Sequence, residues 1–149
     1  MMRISMTGAL AMLAVASTLA LPAAVQAAPA IIVSDGWMRA LPGNLPAGGY
    51  FKLHNAGGSP ISLVGASSAA CGMIMLHKSE TMSGMAEMDE VQSIDVPPGA
   101  TLTFSPGGYH LMCMNPHSLR PDSTIDVTLT FSNGTKVKSI FQVRNAAGR

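Results

Sequence analysis

Runs of about five to nine residues rich in Val, Ile, Leu, Thr and Phe recur along the chain, and Gly, Pro, Asn or Asp ends each one short of helical length. The pattern predicts strands near Ile31 to Arg39, Gly49 to Asn55, Ile61 to Ala66, Met73 to Lys78, Met88 to Val96, Thr101 to Phe104, Tyr109 to Met114, Ile125 to Phe131 and Lys136 to Arg144. Short strands at this spacing predict an all-β domain, a sandwich or partly closed barrel of about eight to nine strands. Val127, Leu129 and Phe131 alternate with Asp126, Thr128 and Thr130, and a second run follows Asn133-Gly134. That reads as a tight hairpin whose two central residues both take positive φ. Ser79 to Glu87, with Gly84 and polar residues between methionines, is expected to be an exposed loop or wide hairpin.

The start of the chain follows a different pattern. Arg3 precedes an apolar Ala- and Leu-rich run from Ala9 to Leu21, and Val25-Gln26-Ala27 ends in small residues. Residues 1–27 therefore read as a signal peptide cleaved after Ala27, with an uncleaved anchor as the alternative for so short a run. Residues 28–149 then form one exported domain, for which a periplasmic location and no stable membrane insertion are expected. Of 9 Lys and Arg against 8 Asp and Glu, Arg3 belongs to the signal, so the remainder is close to neutral. Scattered charge of both signs offers no footprint for nucleic acid.

Export also changes the meaning of sulfur. Cys71 and Cys113 are too far apart for a CxxC redox site, and an oxidising compartment lets a disulfide persist. Met75, Met82, Met85 and Met88 crowd one short stretch beside His77. Farther on, Gly107-Gly108-Tyr109-His110-Leu111-Met112-Cys113-Met114 puts His110, Met112 and Met114 on one strand face and Leu111 and Cys113 on the other. Same-face residues start about 6.5 to 7 Å apart, which lets an imidazole and a thioether reach one ion. His77, at the end of an apolar strand, and Met88, where the chain re-enters a strand, complete a candidate set of His77, Met88, His110 and Met112. Imidazole with thioether is a soft donor set that suits copper(I) and disfavours hard cations.

The spacing His77-x10-Met88-x21-His110-x-Met112, with Pro106-Gly107-Gly108-Tyr109 before it and Gly48-Gly49-Tyr50-Phe51 upstream, resembles the signature of the periplasmic copper chaperone family PCu(A)C. The resemblance implies a cupredoxin-like Greek-key β-sandwich or barrel that holds one copper(I) at those four positions near the surface. It also implies a partner, a periplasmic acceptor such as an oxidase subunit or another copper carrier, and a role in assembling the copper sites of cytochrome c oxidase. A monomer without enzymatic activity is the matching expectation.

Each assignment has a plainer alternative. Met fills core gaps more often than it binds metal, and only the four-point spacing outweighs that reading for Met88 and Met112. Met82, Met85 and Met114 are candidate auxiliary donors, with loop exposure or packing as the competing explanation. Cys71 and Cys113 are expected to form a structural disulfide, because a regular strand turns Cys113 away from Met112; a thiolate copper ligand is the alternative. His54 is read as an ordinary surface or hydrogen-bonded histidine, and His117, in a turn after Asn115-Pro116, is set aside as a weak fifth candidate. In function, the competing readings are copper storage or tolerance with the same residues, and a blue-copper electron carrier, which needs a cysteine thiolate.

Overall fold

The computed structural model describes residues 30–149; the expected signal peptide over residues 1–27 lies outside the described residues. Among them there is no helix, and the chain forms ten strands. These are β1 (Ile31–Arg39), β2 (Ala47–Asn55), β3 (Ile61–Ser67), β4 (Cys71–Met82), β5 (Met85–Glu90), β6 (Ile94–Val96), β7 (Thr101–Phe104), β8 (Tyr109–Pro116), β9 (Thr124–Phe131) and β10 (Lys136–Arg144). Hydrogen bonding runs β5-β4-β8-β2-β1-β10-β9-β3-β6, and β7 joins β2. The Ala66–Ile74 pairing of β3 with β4 closes a barrel of seven strands, leaving β5, β6 and β7 as additions. β1 and β10 run parallel, and the other pairs are antiparallel. The all-β barrel expected from the alternation is the fold observed.

The strand count exceeds the expected eight to nine because one predicted strand is two. Met88 to Val96 is split between β5, which pairs with β4, and β6, which pairs with β3. Of the loop or wide hairpin expected for Ser79 to Glu87, the hairpin forms, and tightly: β4 continues to Met82, turns through Ser83-Gly84 and returns as β5. Ser83 and Gly84 have φ of 51° and 78°, the primed-turn geometry that matches the twist of a hairpin. The Asn133-Gly134 hairpin corrects the expectation in the opposite sense. It forms, but only Gly134 has positive φ, at 83°, and the Asn133 side chain accepts a hydrogen bond from the Thr135 amide at 3.0 Å.

The interior is filled by the inward positions of most strands, among them Phe51, Leu53, Leu63, Leu111, Val127, Leu129, Phe131 and Phe141. Phe51 stacks on Phe104 at 4.2 Å between ring centroids and tilts against Phe141 at 5.6 Å. Cys71 and Cys113 are joined by the expected disulfide, with 5.4 Å between Cα atoms. Between the Cys71–Pro116 and Met73–Met114 rungs, Asn115 adopts φ of 46°. Cys71 is buried beyond that interruption of the alternation. Met38 is fully buried in this core, and no other methionine of the described residues joins it.

Candidate metal centre on the outer wall

β4 and β8 are paired in register, so the alternation of each is shared across the pair. Ile74 faces Cys113 and Leu76 faces Leu111 on the buried side. Their neighbours alternate to the outer wall, where Met73 faces Met114, Met75 faces Met112 and His77 faces His110. The two imidazoles meet edge-on, with ring centroids 5.6 Å apart and planes at 75°. Met88 comes from β5, opposite Ser79, which shares the His77 face one step along β4. From the sequence, His77 is expected at the end of an apolar strand and Met88 where the chain re-enters one after the Ser79 to Glu87 segment. The structure instead fixes both inside a continuous hairpin, because pairing to β4 and the Ser83-Gly84 turn order a segment whose own composition is a weak strand former.

The turn before β8 builds the floor of the site. Gly108 N donates to Ser105 O at 3.0 Å, and Gly107 sits at φ of 85°, the conformation its turn position requires. The Gly108 carbonyl then accepts twice, from the Ser79 amide at 3.1 Å and from His110 Nδ1 at 3.0 Å. A carbonyl cannot donate, so His110 carries its proton on Nδ1 and presents Nε2 with a free lone pair. This is the backing that a metal-binding imidazole needs.

His77 lacks such a partner. Both of its ring nitrogens are buried and neither is hydrogen-bonded by the protein. A sheltered polar atom without a partner costs about 1 to 3 kcal/mol, and among the described residues the Nε of Arg39 is the other group in this state. Burial, chiefly, and then the neighbouring His110 hold the His77 imidazole below the ordinary histidine range, against an opposing pull from Glu90. The ring is therefore held neutral, the form in which it binds metal.

A surface concavity of about 290 Å³ takes in Met88, His110 and Met112 together with Arg39, Tyr50 and Ser79. Gly48, opposite Met112, makes room for Tyr50, since a Cβ there would collide with the tyrosine hydroxyl. Tyr50 lies 6.4 Å from the His110 ring and 4.5 Å from Trp37, centroid to centroid. This aromatic wall shelters His110, which is only 4 % exposed, whereas Met88 is 53 % exposed. The site thus has a sheltered imidazole end and an open thioether end.

Of the four predicted donors, Met88, His110 and Met112 line the concavity, and His77 stands beside His110. The auxiliary candidates lie elsewhere. Met114 lies two rungs from the histidine pair, and Met82 and Met85 face each other at the hairpin tip, on the opposite side of the β4–β5 ladder from Met88. Met75 was missed by the sequence reading, although it stands beside His77 and directly opposite Met112. The two-residue spacing from Met75 to His77 carried that signal. His54 is half-buried and bonds Thr101 Oγ1 at 2.9 Å, and His117 is exposed beyond β8. Among the described residues no group of three or more His, Cys, Asp or Glu side chains gathers as a metal site. The thioethers beside the histidine pair make this a soft donor set, which favours soft ions.

The family described as "Putative lipoprotein LpqE-like" matches residues 31–143. "Putative lipoprotein Lxx21020" of Leifsonia xyli subsp. xyli is 33 % identical over 134 residues, covering 86 % of this chain and 80 % of its own. Among solved structures, the copper(I) form of DR1885 from Deinococcus radiodurans is 29 % identical with a TM-score of 0.64, covering 80 % of this chain and 81 % of that one. The copper-bound PCuAC domain of PmoF2 shares the fold, at 24 % identity and a TM-score of 0.65, over 80 % of this chain and 97 % of that domain. The cupredoxin-like barrel is accordingly the fold of this chain.

Proposed function

We propose that this chain, which belongs to the LpqE-like family, is an exported copper(I) metallochaperone that holds its ion at His77, Met88, His110 and Met112 and surrenders it to a protein acceptor. One observation carries the reading. His77 stands against His110 on the outer wall with both ring nitrogens buried and unsatisfied, beside thioethers, with Glu90 opposite it on β5 and no group of three or more His, Cys, Asp or Glu among the described residues. A soft cation supplies the missing partner. The likeness to the copper(I) form of DR1885 supports the same ion.

The chemistry of hand-over follows from the asymmetry of the site. His110, oriented by the Gly108 carbonyl, and His77, kept neutral by burial, anchor the ion. Met88 lies on the open side and, as a neutral ligand on an exposed strand, can be exchanged for an acceptor's donor while the imidazoles still hold. Stepwise exchange avoids a bare ion at any stage. The copper centre of cytochrome c oxidase is the destination we propose, with the periplasm as the compartment. Kinship with lipoproteins supports export, and Cys71 and Cys113 are committed to each other rather than to a lipid.

That disulfide also disfavours a blue-copper electron carrier, which needs a cysteine thiolate. Storage would use the same four donors, and the openness of Met88 favours transfer over retention. Copper(I) competition against a chelator tests the assignment. The Met88→Leu/Met112→Leu protein is expected to bind about a hundredfold more weakly than wild type, and undiminished affinity would refute the site. Oxidase activity of a deletion strain tests delivery: a defect at low copper, relieved by added copper, is expected.

A further inference from the structure

The outer wall does not end at the histidine pair. Two further rungs, Met75 opposite Met112 and Met73 opposite Met114, continue the same face of β4 and β8. Met73 is 56 % exposed in the body of a paired strand, where a threonine or lysine would serve the sheet equally well and avoid an apolar surface. Core packing does not explain these side chains, because neither Met73 nor Met114 belongs to the buried cluster.

Their arrangement suits another role. Directly opposed residues of an antiparallel pair have Cβ atoms about 4.5 to 5.5 Å apart, and same-face neighbours on one strand are about 6.5 to 7 Å apart. Met73, Met114 and Met75 therefore form a compact triangle. Three rotatable bonds per side chain let the three sulfurs turn toward a common point. Thioethers are neutral and carry no ionisable proton, so such a triangle excludes hard divalent ions and accepts a soft monovalent one.

We infer that Met73, Met75 and Met114 form a second, weaker site for copper(I) or silver(I), adjoining the histidine site through the Met75–Met112 rung. The triangle shares no ligand with the His77, Met88, His110 and Met112 set, so it does not require that assignment. It adds a staging post: an ion captured at the three thioethers is one rung from Met112, and moves inward by exchanging sulfur for sulfur before the imidazoles take it. The net reaction is ligand exchange, with no change of oxidation state.

Silver(I) titration of the disulfide-intact mature chain, carrying 13C-labelled methionine methyl groups, tests this by NMR. The first equivalent is expected to shift the His77 and His110 imidazoles with the Met88 and Met112 methyls, and the second the methyls of Met73, Met75 and Met114. Met73→Leu/Met114→Leu, which alters only the outer wall, should keep the first event and weaken the second by about tenfold or more. A single equivalent, a second one unaffected in that variant, or a second one reported by Met82 and Met85 would overturn the inference and leave the histidine site standing. Shifts at Met73, Met75 and Met114 with silent imidazoles would sustain it and overturn the histidine site instead. No shift anywhere would overturn both.

Discussion

The two faces of the β4–β8 pair are built from the same residues in sequence and do opposite work. On the inner face Ile74, Leu76, Leu111 and Cys113 are buried, and the disulfide to Cys71 fastens the barrel. On the outer face Met73, Met75, His77, His110, Met112 and Met114 form a ladder of three soft-donor rungs that alternate with the two inner rungs. Strand alternation separates fold from chemistry at single-residue resolution. Substitutions here should sort by parity, with stability on one side and metal affinity on the other.

The largest effects lie on the inner face. Replacing Cys71 and Cys113 together by Ala frees a loop spanning 42 positions, and denaturant unfolding should show a loss of about 4 kcal/mol on the chain-entropy model. Copper(I) affinity at low temperature, where the fold survives, should stay near wild type. Leu111→Ala, at a fully buried position, is expected to cost about 3 kcal/mol through lost burial and the cavity left behind. A drop in affinity as large as the drop in stability would erase the distinction between the faces.

The outer face should reverse the pattern. Met88→Leu/Met112→Leu should lower copper(I) affinity by about a hundredfold while thermal melting moves by about 2 °C or less, because leucine keeps the volume and apolar character of each site. Acidification gives a smaller, graded effect on the same face. His77 titrates below its ordinary value of 6.5, so the folded chain binds fewer protons there than the unfolded chain. Its contribution to stability is complete above pH 6.5 and is lost as pH falls through the lowered value. Copper(I) affinity should be level near neutrality and fall over the same acidic range, measurable by chelator competition across pH. The smallest effect is expected at the hairpin tip, where Met82→Leu/Met85→Leu should leave equilibrium affinity unchanged, since both residues lie across the ladder from Met88.

The same parity explains what could be read from the sequence. β1, β7 and β10 have the bounds expected, because β-branched and aromatic residues between turn formers mark them from both ends. His110 and Met112 were legible as one face of one strand. Met75 was obscured because β4 begins apolar on both faces, so that no polar alternation marks Met75 and His77 as sharing one of them. β5 carries Met-Ala-Glu-Met-Asp-Glu, six exposed residues with little strand propensity. It is held by its register against β4, a tertiary effect that no local pattern announces. The orphaned nitrogens of His77 were equally invisible, since they depend on which neighbours cover the ring.

In the proposed site two imidazoles and two thioethers share one monovalent soft ion. X-ray absorption at the copper edge, on protein loaded with one equivalent of copper(I), measures that directly. A shell holding nitrogen and sulfur neighbours in equal number is predicted, and a shell of either element alone would contradict it.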